Sequence, residues 1–147
     1  MGQVEAINIG PPETLPAPVE RVRADAGKGL AGNRYYFEDG AKPGRALTLI
    51  AAEALEAMAA EHGVEITAAE SRRNVLTRGI DLNALVGKRF RVGVVECVGV
   101  ELCEPCSHLE SVTKPGVIKG LAHRGGLNAD IVSDGEISVG DEVVATD

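Results

Sequence analysis

Phe90-Arg-Val-Gly-Val-Val-Glu-Cys-Val-Gly-Val-Glu-Leu102 carries the densest strand pattern of the chain. Valines fill it in alternating or continuous runs over residues 90–94 and 95–102, with breaks at Gly93 and Gly99. β-Branched side chains suit extended backbone, and alternation gives a strand two distinct faces. The same grammar extends in both directions. Toward the N-terminus, strands are expected at 4–9, ended by Gly10-Pro-Pro12, and at 19–24, 46–50 and 73–77. Toward the C-terminus, strands are expected at 129–132 and 136–146, with Asp134-Gly135 between them as a hairpin turn. Residues 51–62 carry the one long helical pattern: Ala51, Leu55 and Met58 share a face, and Gly63 supplies the stop. Shorter helical turns are expected at 81–85, capped by Asp81 and ended by Gly87, at 103–112 after Pro105, and at 115–123.

Strands and helices do not alternate along the chain, which disfavours a doubly wound sheet. The expectation is a mainly β fold: a closed or nearly closed β-barrel with short helical insertions, because closure removes unpaired strand edges. With 147 residues, a single domain over residues 1–147 is expected. Eighteen glycines against two Tyr, two Phe and no Trp agree with many tight turns.

Composition excludes several classes of function. Apolar residues make up 44% and charged residues 25%, the balance of an ordinary globular protein. No apolar run is long enough to cross a bilayer, and Met1 to Ala6 lacks a signal-peptide pattern, so a cytoplasmic protein with no membrane partner is expected. A formal charge of −7 and scarce aromatics argue against nucleic acid as a partner. Three cysteines, an odd number, do not make a disulfide framework and suit a reducing compartment.

Residues 27–44 hold five glycines and Pro43. Such a long segment without a strand or helix pattern is expected to be functional or mobile. Gly27-Lys-Gly-Leu-Ala-Gly32 matches the dinucleotide fingerprint in letters, yet no helical pattern follows it, so no nucleotide is expected. The loop can still hold an anion through backbone N–H groups, with Lys28 and Arg34 nearby.

Cys103-Glu-Pro-Cys106 is the segment richest in chemistry. Cys97 alternates within a strand and reads as a small buried hydrophobe. Cys103 and Cys106 instead sit where a strand gives way to a helix, where unpaired N–H groups favour a thiolate able to attack sulfur or bind a soft metal. Four readings stay open: a single working Cys106, a C-x-x-C redox pair, a zinc site recruiting Cys103, Cys106, His108 and His123, and two inert thiols in a barrel used only for association. Ser71-Arg-Arg-Asn-Val-Leu-Thr-Arg78 adds cations on an expected strand, with Arg72, Asn74 and Leu76 facing one way and Arg73, Val75 and Thr77 the other. Arginine forks match phosphate or carboxylate. His123-Arg-Gly-Gly126 offers a further arginine beside two flexible backbone positions.

In this order, five stretches resemble the MOSC domain family, named after the C-terminal part of molybdenum-cofactor sulfurase. They are Arg72-Arg-Asn-Val-Leu-Thr-Arg-Gly-Ile80, Leu85-Val-Gly-Lys-Arg-Phe-Arg-Val-Gly93, Cys103-Glu-Pro-Cys-Ser-His-Leu109, Arg124-Gly-Gly126 and Val139-Gly-Asp-Glu-Val143. The resemblance runs over residues 29–143 and implies a barrel shaped like that of pyruvate kinase. It implies one functional cysteine, here Cys106, carrying sulfur as a persulfide or ligating the molybdenum of the cofactor. It also implies a sulfur donor such as a pyridoxal-phosphate-dependent cysteine desulfurase, or a molybdoenzyme partner. For the amidoxime-reducing members the implied activity is reduction of N-hydroxylated compounds. Arg72, Asn74 and Thr77 match the polar strand of the family site, and Arg124, Gly125 and Gly126 are candidates for holding the cofactor phosphate. The 147 residues include neither a desulfurase half nor a separate N-terminal β domain. Arg34-Tyr-Tyr-Phe37 and Pro43-Gly-Arg45 stand where some bacterial reductase-type members carry His-His-Gly. Cys103 is a thiol beyond the family pattern.

Overall fold

The valine-rich stretch folds back on itself. β7 (Arg89–Val92) and β8 (Val95–Leu102) pair antiparallel with Phe90 opposite Cys97. Phe90, Val92, Val95 and Cys97 all point inward and are buried. From this hairpin the computed structural model, which describes residues 2–146, closes a barrel. β8 pairs with β9 (Leu127–Ile131), β9 with β5 (Leu47–Ala51), and β5 with β6 (Val75–Arg78). β6 pairs with β1 (Gly2–Ile9), β1 with β11 (Glu142–Ala145), and β11 with β7. Among the described residues the closed ring has seven strands, and the short β2 (Ala17–Val19) is attached outside the ring to β1. Closure leaves the ring no free edge to pair with another chain.

One neighbouring pair, β5 with β6, runs parallel. Parallel neighbours need a crossover, and α1 (Ala52–His62) supplies it. α1 packs against α3 (Val117–Gly120), which packs in turn against α2 (Ser107–Val112), and Ile50, Ala54, Met58, Leu109, Val117 and Leu121 form a second core outside the barrel. Among the described residues no helix is long and apolar enough to cross a membrane.

Several local expectations shift. The run at 19–24 is two elements, β2 and β3 (Arg21–Asp25), which belong to different sheets. The run at 136–146 is likewise two, β10 (Gly135–Ser138) and β11. Asp134-Gly135 does not make a hairpin. β10 pairs with β3, Gly135 is not at positive φ as a tight two-residue turn requires, and the Asp134 carboxylate accepts the Ala26 N–H at 2.7 Å. In α1 the buried face is Ala52, Ala54 and Met58, because Ala51 ends β5 and the helix starts one residue later. The helix stops at Gly63, as its sequence indicates. β6 begins at Val75 because Arg72 takes a left-handed φ of 61°.

The 27–44 segment is tied down by its own bonds. β4 (Gly29–Leu30) pairs with β3, and the Tyr36 hydroxyl donates to the Asp25 carboxylate at 2.7 Å. That bond pushes the Tyr36 hydroxyl up to about 12 and lowers Asp25, so a neutral phenol clamps a carboxylate across the pH range of a cell. Farther on, the Gly44 N–H donates to Asp130 Oδ1 at 2.7 Å, delivering the chain to β5.

One end of the barrel is sealed by the 3-10 turn Leu82–Leu85, capped by Asp81, with Leu82 and Leu85 buried. It approaches β8 at Gly99, where a Cβ would overlap the Leu85 carbonyl. Gly99→Ala is expected to cost about 1–3 kcal/mol, read as a lower urea midpoint with an unchanged m-value.

Candidate functional site

A guanidinium buried without a carboxylate must find other acceptors, and Arg73 finds three. It is 9% exposed. Nε donates to the Gly125 carbonyl at 2.8 Å, Nη1 to that of Ser71 at 3.3 Å, and Nη2 to that of Cys103 at 3.0 Å. The Cys103 N–H in turn donates to the Gly126 carbonyl at 2.8 Å. Glycine is required on both sides of this junction. A Cβ at Gly125 would meet the Cys103 carbonyl and Pro105, while Gly126 sits at φ 122° with the Leu49 carbonyl where a Cβ would be. The turn 125–126 therefore acts as the backing of the cysteine segment.

Cys106 emerges from that backing as the N-cap residue of α2 and is exposed, while Cys103 is half-buried. Both line a concave site of about 360 Å³ whose wall also carries Arg34, Arg45, Arg72 and Arg73. Arg34 lies within the tied-down loop and Arg45 follows just after it. Arg72 and Arg73 come from the chain just before β6.

The electrostatics are lopsided. Among the described residues none of the four arginines is ion-paired to a carboxylate. Arg34 Nη2 and Arg72 Nη1 converge on one carbonyl, that of Thr14, at 2.6 and 3.5 Å. Burial, and then the neighbouring Arg72 cation, push the Arg34 guanidinium below its usual pKa. Arg72 Nε is buried with no hydrogen-bond partner. Arg45 lies over the Tyr35 ring, 5.7 Å from its centroid. Glu104 is the one acidic residue on the wall, and it is occupied by the His123 N–H at 2.7 Å and Nδ1 at 2.9 Å. Burial pushes the Cys103 thiol up, against the pull of Arg73 and Arg45. Cys97 lies in the core and is pushed up to about 12 by the same cause.

The residues singled out by sequence are distributed unevenly. Cys103, Cys106, His108 and Arg72 lie on the wall. Gly125 and Gly126 lie behind it. Asn74 is a buried pin: its side chain accepts from the Thr48 N–H and hydroxyl, both at 3.0 Å, and donates to the Asn8 carbonyl at 3.2 Å. Thr77 is buried on β6, its hydroxyl 3.5 Å from the Ile50 carbonyl. Arg124 pairs with Glu61 at 3.3 Å and lines a different hollow beside α1. His123 faces Glu104, and among the described residues no three His, Cys, Asp or Glu side chains are gathered to hold a metal. Lys28 pairs with Glu38 at 3.3 Å, leaving Arg34 to represent its loop at the site. Arg45 and Arg73 are absent from the sequence-based set of site residues. Strict alternation through 72–77 sets Arg73 against Arg72, whereas the left-handed turn at Arg72 brings both to one wall.

The chain matches the MOSC domain family over residues 19–144. Among solved structures it is similar to the YuaD protein of Bacillus subtilis, with a TM-score of 0.82 and 18% identity, covering 97% of this chain and 94% of that one. It is also similar to YiiM of Geobacillus stearothermophilus (TM-score 0.77, 19% identity, 100% and 76% covered) and YiiM of Escherichia coli (0.71, 16%, 99% and 70%). At these identities the likeness is one of fold. No curated protein matches the chain by sequence.

Two measurements check this geometry. Arg73→Leu strips three buried carbonyls of their donor and is expected to lower unfolding stability by more than about 2 kcal/mol in a urea titration. Alkylation by iodoacetamide, mapped by mass spectrometry, should label Cys106 first. Cys103 should follow only as pH rises above the ordinary thiol range, since its raised pKa delays ionisation, and Cys97 only on unfolding.

Proposed function

Because the chain belongs to the MOSC domain family, we propose that it is a sulfur carrier whose Cys106 accepts sulfur as a persulfide, in a site that also fits the molybdenum cofactor. The observation that supports this reading is an exposed thiol in a hollow walled by four arginines that have no carboxylate partner among the described residues. Such a wall suits negative charge on or beside sulfur. The thiolate of Cys106 attacks the outer sulfur of a donor persulfide. The donor's S–S bond breaks, a new S–S bond forms on Cys106, and the donor leaves as a thiolate. A cysteine desulfurase is one donor of the required kind, and exposure of Cys106 lets its persulfide reach the site. Arg73 acts as a positioning residue, fixing the Cys103 carbonyl and hence the approach of Cys106. The three unbonded cysteines suit a reducing cytoplasmic setting.

The residues present also fit the cofactor. The sulfur of Cys106 is a soft ligand for molybdenum, and Arg34 with the unpartnered Arg72 Nε would hold the phosphate. Bound there, the cofactor would supply the two-electron chemistry that reduces N-hydroxylated compounds. Arg73 and the 125–126 turn would keep the ligating segment in place.

The test is mass spectrometry with assay of cyanide-releasable sulfur after incubation with cysteine persulfide. Wild type and Cys103→Ser are expected to gain about 32 Da, one sulfur atom, and Cys106→Ser to gain none. Equal loading of wild type and Cys106→Ser would refute the assignment. Loss of loading on Cys103→Ser as well would favour a C-x-x-C redox pair.

A further inference from the structure

We propose that the sulfur donor for Cys106 is a small doubly charged sulfur oxyanion of the thiosulfate type, held by Arg34, Arg72 and Arg45. The inference rests on Cys106 being the sulfur acceptor and adds the chemical class of its substrate. In a chain of net charge −7, the hollow gathers four guanidinium groups against one carboxylate, and that carboxylate is taken by His123. A persulfide presented by a partner protein carries at most one negative charge and does not call for such a concentration of cations. A dianion does. Its reaction with a thiolate brings like charges together, and fixed cations around the reacting sulfurs lift that repulsion without reorganising at the moment of attack.

The arrangement also suits the shape of the ion. Arg34 and Arg72 point their forks at one carbonyl oxygen, so two like charges share one neutral acceptor. The buried Arg72 Nε has no acceptor among the described residues. A sulfonate head offers three oxygens in a tetrahedral arrangement, enough to engage both forks at once, and guanidinium is the side chain best matched to such a head. Arg45 is exposed and held only over the Tyr35 ring, so it can close over the ion. With the oxygens held there, the outer sulfur is left to meet the thiol on the same wall.

The step balances. The Cys106 thiolate attacks the outer sulfur of thiosulfate and a bond forms between the two sulfurs. The S–S bond of thiosulfate breaks, and its electron pair leaves with sulfite. Cys106 is left as a persulfide anion, and no external oxidant or reductant is consumed. Cyanide then removes the outer sulfur as thiocyanate and restores the thiolate.

The experiment uses the full chain with thiosulfate and, separately, cysteine persulfide as donors. It reads thiocyanate formation and the mass of the Cys106 peptide. Wild type is expected to load from both. Arg34→Gln and Arg72→Gln should each raise the KM for thiosulfate by about tenfold, and the preference for thiosulfate over cysteine persulfide should fall at least about fivefold. Arg45→Gln alters an exposed side chain that carries no structural hydrogen bond and should shift the preference the same way even if the other variants fold poorly. Inorganic sulfate, which shares the head but lacks a transferable sulfur, should compete with thiosulfate. Loading from cysteine persulfide but not from thiosulfate, or an equal loss with both donors in the arginine variants, would overturn the oxyanion proposal and leave the carrier reading standing. Failure of both donors to load Cys106 would overturn both.

Discussion

The site depends on one buried guanidinium. Arg73 reaches its three carbonyls from three separated stretches of chain, the approach to β6, the end of β8 and the turn before β9. Each acceptor is a backbone group that would otherwise lie at a strand end with few partners, and each unpaired group would carry a desolvation cost. A lysine could not substitute, since a single ammonium lacks the planar spread that lets one side chain meet acceptors in three directions. The cation is itself solvated by those carbonyls, which explains how a charge can be mostly buried without an ion pair.

Placed on that anchor, the two cysteines of the C-x-x-C segment have different surroundings. Cys103 is held by its own backbone against Gly126, and burial disfavours its ionised form. Cys106 is three residues farther on, past Pro105, at the mouth of the hollow. Cys97 faces the barrel core and serves packing alone. Three chemically identical side chains therefore have three environments, set by depth rather than by sequence neighbours. The negative net charge of the chain does not oppose an anion site, because at short range the nearby guanidinium groups dominate the field.

The fold divides its apolar residues into two cores with separate duties. The inner core fills the barrel and backs its walls. The outer core, between α1, α2, α3 and the barrel surface, holds the helix that Cys106 caps. A wall bearing cations, backed by the inner core, and a separately packed helix capped by the thiol residue meet at the hollow, with neither placed in the barrel interior.

The barrel was legible in the sequence because its cause is local. Alternating valines at 90–102, a helix stop at Gly63 and the Asp81 cap each act over a few residues, and most strands form near where they were expected. The strand-to-helix junction at the C-x-x-C segment was legible too, since a proline ahead of a helical pattern acts over a few residues. Strand partners were not. Asp134-Gly135 carries the letters of a hairpin, but Asp134 is used by Ala26, 108 residues away in the chain, and β10 goes to β3 instead. The cationic wall was hidden for the same reason: Arg34, Arg45, Arg72 and Arg73 come from two segments that lead into β5 and β6, and the parallel pairing of those strands sets them side by side. The periodicity and the helix stops could be read from the residues alone, because each acts over a few positions. Tertiary structure decided which charges surround the Cys106 thiol, because side-chain direction at Arg72 and Arg73 follows from one left-handed backbone turn that alternation cannot reveal.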